Sequence, residues 1–175
     1  MNVTRAVLAL VLLATAGCTS NDARSGASRL TFVPAEAAAA TTVSLRGEPP
    51  NVLLPDRVAV AVVARGAAAL HGAAFRLTWD PAALDFVEAK SGAPWSKQAI
   101  AMAKEGSPGE LAVVWAEKGE AGIDANGETV LGTIIFDVRG RLGTPIGFKN
   151  ERSQLVDKKG VRVEATWSGG QLTSR

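Results

Sequence analysis

Cysteine occurs once in these 175 residues, histidine once and tyrosine not at all. With a single thiol no disulfide can form within the chain, so its fold must be held by packing alone. No His/Cys/carboxylate cluster of the kind that holds a metal is present, and neither a metal nor a cofactor is expected. His71 has no serine or cysteine nucleophile motif beside it; in Leu70-His71-Gly72 it reads as a solvated residue of a strand-entry turn. Carboxylate pairs for glycoside cleavage can be drawn from Asp80, Asp85, Glu88 or Glu117, but nothing fixes their separation, and the chain reads as a non-enzyme. Lys and Arg total 19 against 17 Asp and Glu, with the two signs interspersed. No basic stripe exists for nucleic acid.

The lone cysteine sits where it has most meaning. Arg5 supplies a short positive region, Ala6 to Leu13 an apolar run, and Thr15-Ala16-Gly17-Cys18 places small residues directly before the thiol. The run is too short to span a bilayer and is followed at once by polar Thr19-Ser20-Asn21-Asp22. This segment resembles a bacterial lipoprotein signal, with Thr15 standing where that motif usually carries Leu. The resemblance implies cleavage before Cys18, lipidation of Cys18, and attachment to a bacterial envelope membrane through the lipid only. Thr19 rather than Asp after the cysteine matches the sorting rule for outer-membrane lipoproteins. The expected organisation is a signal peptide over 1–17, a tether over 18–29, polar and small through Ser28, and one domain over 30–175.

From Leu30 onward the pattern is period-2 alternation in short runs punctuated by Gly, Pro and Asp, which predicts an all-β, two-sheet sandwich. Val58, Val60 and Val62 form one buried set; Phe75, Leu77 and Trp79 a second; Leu111, Val113 and Trp115 a third. Val130, Ile134, Phe136 and Val138 alternate with Leu131, Thr133, Ile135 and Asp137, and Val161, Val163, Ala165 and Trp167 share one face. Further strands are expected at 30–33, 42–45, 98–104, 145–148 and 170–173, with Ser107-Pro108-Gly109 turning a hairpin. The stretch 96–104 suits a short capped helix almost as well as a strand. Asp80-Pro81 should cap a single helical turn whose Leu84 and Phe86 close one end of the sandwich. Asp124 to Glu128 lacks EF-hand spacing and reads as a plain turn.

The segment from Gly72 to Val87, Gly-Ala-Ala-Phe-Arg-Leu-Thr-Trp-Asp-Pro-Ala-Ala-Leu-Asp-Phe-Val, is similar to the F-x-L-x-Y-D-P-x-x-L-x-F-V core of cohesin domains. Leu131-Gly132-Thr133-Ile134-Ile135-Phe136-Asp137-Val138 resembles their later L-x-T-I-x-F-x-V strand. The resemblance spans roughly Leu30 to Leu172. It implies a nine-stranded jelly-roll sandwich that binds a partner protein, in cohesins the dockerin module of a polysaccharide-degrading enzyme. The binding face it implies holds Ala74, Arg76, Thr78, Ala112, Val114 and Glu117, with Glu117 in the slot of a dockerin-contacting acid. Gly72 and Ala74 replace the family's polar contacts there, leaving a flatter, more apolar surface.

Two other readings remain open. Cellulose-binding modules share this topology, and Trp95 and Trp167, close to loops, could be exposed as a sugar platform; Trp79 and Trp115 share parity with their strands' core residues. A polysaccharide ligand would need those two rings exposed and coplanar. A structural subunit of an envelope or secretion assembly would reuse the fold without a dockerin.

Overall fold

The structure is a computed structural model describing residues 30–36, 38–48, 56–139 and 143–174. Cys18, the signal and the tether lie outside the described residues. Among the described residues, fourteen strands and one 3-10 turn follow one another: β1 Leu30–Pro34, β2 Thr42–Glu48, β3 Arg57–Arg65, β4 Ala67–Thr78, β5 Leu84–Ser91, β6 Ile100–Glu105, β7 Glu110–Ala116, β8 Ile123–Ala125, β9 Thr129–Val138, β10 Thr144–Phe148, the 3-10 turn Asn150–Arg152, β11 Gln154–Asp157, β12 Arg162–Val163, β13 Thr166–Ser168 and β14 Gly170–Ser174. They form a five-stranded sheet in the order β13-β2-β3-β9-β5 and a nine-stranded sheet built around β4. β4 pairs with β7 and β8 along one edge and with β10 and β11 along the other. All neighbours run antiparallel except β13 beside β2.

The all-β sandwich expected from the sequence is the observed architecture. Val60, Phe75, Leu77, Trp115, Ile134 and Phe136 are all buried in one core shared by both sheets. Edge-to-face rings knit its centre: Phe75 lies 5.3 Å from Trp115 and 5.6 Å from Phe148, and Phe148 lies 5.0 Å from Trp167. Gly132 is where β9 passes under Trp115, and a Cβ there would collide with the indole.

Local turn chemistry behaves as its residues dictate. The Asp80 carboxylate accepts the Ala82 N–H at 2.9 Å while Ala83 and Leu84 donate to the Asp80 carbonyl, one helical turn that delivers the fully buried Leu84 into the core. Gly109, at φ 79°, closes the Ser107-Pro108-Gly109 turn between β6 and β7, and of the segment with two possible forms residues 100–104 are strand while 96–99 form a turn.

Parity fails at two places, each with a backbone cause. Between Val62 and Val63 the β3–β9 register slips by one residue, so Leu131 rather than Val130 faces the core. The run 161–167 is not one strand: β12 belongs to the large sheet and β13 to the small one, and Val161 is exposed because it closes the turn between β11 and β12, its N–H and C=O both bonded to Asp157. Against the nine strands implied by the cohesin resemblance, fourteen short ones are present among the described residues, β12 and β13 being two pieces of one expected run. His71 is no turn residue; it lies within β4, half-buried, its ring between the carbonyls of Ala69 and Gly119.

Candidate functional site

On the outer face of the large sheet the registers place side chains in rows across four strands. Met102 of β6, Val114 of β7, Ala74 of β4 and Gln154 of β11 form one row. Ile100, Ala116, Gly72 and Val156 form the next, and Lys104, Ala112 and Arg76 the third. On β4, β7 and β11 these positions alternate with buried neighbours, which is how one strand can serve both core and surface, whereas β6 is exposed throughout. The outcome is an apolar solvent face: Met102 is 63% exposed, Val114 39% and Ile100 39%. Between these taller side chains and Val156 the small residues leave a shallow depression of about 190 Å³, lined by Gly72, Ala74, Val114, Ala116, Gln154 and Val156 among others. A Cβ at Gly72 would press on the Val156 methyl at 2.7 Å, so this floor depends on glycine.

One end of the depression is charged. Glu110 accepts from both Arg76 and Lys149, and the Lys149 ammonium first, then the Arg76 guanidinium, hold its carboxyl below the usual carboxylate range. Lys104 lies in the row beside Arg76. Thr78 closes this end, its hydroxyl 3.5 Å from the Gly147 carbonyl.

Of the six residues expected on the binding face, Ala74 and Val114 therefore lie at its centre, and Ala112, Arg76 and Thr78 toward its charged end, Ala112 between Lys104 and Arg76. Glu117 does not share the face. It lies one residue past β7, where its backbone N–H donates to the His71 carbonyl, and its carboxylate turns back to accept from the Ser96 hydroxyl and the N–H groups of Ser96, Lys118 and Gly119. Those bonds, the Ser96 hydroxyl foremost, hold its pKa down to about 2. Glu117 is a staple between the end of β7 and the 96–99 turn that leads into β6. Sequence reading passed over Ile100, Met102, Ala116 and Val156; the signal for the first two was the regular spacing of β6, which the helix alternative masked.

The exposure expected of Trp95 and Trp167 is overturned. Trp95 is 6% exposed, its indole N–H donating to the Leu131 carbonyl at 2.6 Å, and Trp167 is 8% exposed against Phe75 and Phe148. Both sit near chain bends, but each bend folds its ring inward, where apolar area leaves water. The chain's nine aromatic residues are all described and none is exposed, so no flat ring platform for sugar exists on this surface.

The geometry matches solved structures. The second type II cohesin module of the ScaA scaffoldin from Acetivibrio cellulolyticus superposes with a TM-score of 0.65 at 12% identity, covering 78% of this chain and 98% of that one. The chain has a cohesin fold. A non-cellulosomal cohesin from the archaeon Archaeoglobus fulgidus gives 0.58 at 17% identity over 78% of this chain and 91% of the other. The sixth cohesin of Acetivibrio cellulolyticus scaffoldin B, solved in complex with a mutant Cel5 dockerin, gives 0.61 at 16% identity over 74% and 94%. No protein-family model and no curated protein sequence matches the chain. The shared property is the cohesin sandwich, at 12–17% sequence identity.

Proposed function

We propose that this chain is a non-catalytic binding module that captures a protein partner on the outer face of β6, β7, β4 and β11. The observation that carries this reading is the apolar patch formed by the exposed Met102, Ile100 and Val114 beside the depression floored by Gly72, Ala74 and Ala116. A partner helix with small or apolar residues along one stripe fits the depression, with an acidic residue near Lys104 and Arg76. Cohesins of this fold have been solved with dockerins on them, which makes a dockerin-like module the partner of choice here, recognised by apolar fit more than by hydrogen bonds. Lipidation at Cys18 would hold the module on the outer membrane of a bacterial envelope.

Capture from envelope extract, with the wild-type chain and its Ala74→Arg variant as parallel baits, tests the face. A partner retained by the first and lost by the second, with melting temperature unchanged, supports the reading. Equal retention by both overturns it. Ala74 is a cleaner target than Arg76, because reversing Arg76 would set two acids against each other at Glu110.

A further inference from the structure

Each free edge of the two sheets is blunted except one. Among the described residues β1 ends in Pro34, β12 has two residues, β8 and β13 three each, and β5 carries a bulge at Val87 followed by Glu88 and Lys90. β6 has no proline and no bulge, and its only charges, Lys104 and Glu105, stand at its far end. It pairs residue for residue with β7 and is exposed along its whole length. The Gly106 N–H donates to the Glu110 carbonyl. Backbone groups alternate along a strand, so the even-numbered residues of β6 bond to β7, and Ala101, Ala103 and Glu105 aim their N–H and C=O groups outward. Among the described residues no strand pairs with that side.

We propose that this edge joins two copies of the chain through antiparallel β6–β6 pairing about a two-fold axis at Met102. The assignment to a second copy rests on self-complementarity. An axis perpendicular to the sheet keeps outer residues with outer residues, so Met102 meets its own mate, Ile100 lies against the aliphatic stem of Lys104, and Ala101 faces Ala103. No like charges meet, whereas an axis two residues further on would set Lys104 against itself. Ala101 and Ala103, exchanging backbone bonds, are small enough for the strands to close. Met102, the most exposed large apolar side chain described, then packs against its own mate where the two apolar faces join. The same axis leaves both apolar faces on one side of a continuous sheet, so a dimer presents two capture sites together.

Disulfide trapping tests the pairing, because in a Cys18→Ser background the full chain carries no other thiol. Met102→Cys, extracted in detergent and mildly oxidised, should give a disulfide-linked dimer on a non-reducing gel, since cross-strand positions outside the hydrogen-bonded pairs bring Cβ atoms close. Lys104→Cys should stay monomeric. Adding Ala103→Pro, which removes an outward N–H and leaves the β7 ladder intact, should abolish the Met102→Cys dimer. Equal trapping at 102 and 104, or trapping of Met102→Cys only to another protein, overturns the second-copy assignment, the latter giving the edge to a foreign strand. So does a wild-type chain that sediments as a monomer at about 50 µM, where a micromolar dimer is mostly assembled.

Discussion

On the outer face of the five-stranded sheet Arg57 faces Asp137 across the β3–β9 ladder with N–O 2.7 Å, Arg46 reaches Glu128 at 3.2 Å, Lys90 pairs with Glu88, and Arg139 with Asp85. Asp85 and Asp137 stand directly opposite each other, and the two arginines approach from either side to offset the repulsion. On the outer face of the nine-stranded sheet the corresponding positions are Ala74, Ala112, Val114, Ala116 and Met102, with charge only at one end. Both faces are made by the same alternation and cover the same core. The difference teaches where selection of a partner would lie: salt-laced strands are soluble and indifferent, and a flat apolar sheet is costly to leave bare unless something docks on it.

The largest effect should come from the core that both faces share. Phe136→Ala is expected to cost about 3–5 kcal/mol in denaturant unfolding, with a single transition, because Phe136 is fully buried and packs edge-on against Trp79 at 5.1 Å. Two separated transitions would show that the sheets, and so their faces, are not one cooperative unit.

The comparison is most directly broken by moving charge across it. Ala74→Arg should weaken partner capture at least about 100-fold while shifting stability by under about 1 kcal/mol. Thr133→Arg, the matching change on the outer side of β9, should leave capture unaltered. Similar losses from both would mean that the partner does not distinguish the faces, and titration calorimetry with the captured partner reads the difference.

Glu117 gives a smaller, pH-dependent effect. Its folded-state pKa, about 2, lies below its ordinary value of 4.5, so its contribution to stability is fully present above pH 4.5 and disappears as pH falls through about 2. Melting curves of Glu117→Gln should accordingly lie below wild type at neutral pH and converge with it near pH 2. A gap that persists unchanged at pH 2 would remove the carboxylate's charge as the cause.

The smallest effect is expected on the salt-laced face. A double-mutant cycle on Arg46 and Glu128, side chains 47% and 63% exposed, should return a coupling energy of about 0.2–1 kcal/mol that fades with added salt. A larger, salt-insensitive value would mean that this face is more than a solubilising surface.

Strand identity along most of the chain is legible in the order of its residues, because alternation in runs such as 75–79 and 111–115 says both that a strand forms and which side it buries. The helical turn at Asp80 and the hairpin turn at Gly109 are legible for the same kind of reason, since capping oxygens and positive φ are local demands. Half the candidate face follows directly: Ala74, Ala112 and Val114 are the opposite parity of buried neighbours. What local pattern could not carry were the places where a partner strand resets parity or the chain changes sheet. Leu131 is buried because β3 slips against β9, and Val161 is exposed because it closes the turn from β11 to β12, while the chain changes sheet only between β12 and β13. Trp95 and Trp167 point inward because remote backbone turns their bends, Trp95 onto the Leu131 carbonyl and Trp167 onto Phe75 and Phe148. Glu117 leaves the face because four donors from residues 96, 118 and 119 converge on it. Composition and periodicity thus determined the fold class, the core and the absence of disulfide support, all properties of residues and their immediate neighbours. Which apolar residues meet water, and which strand edge is left open, was decided only when distant segments were brought into register.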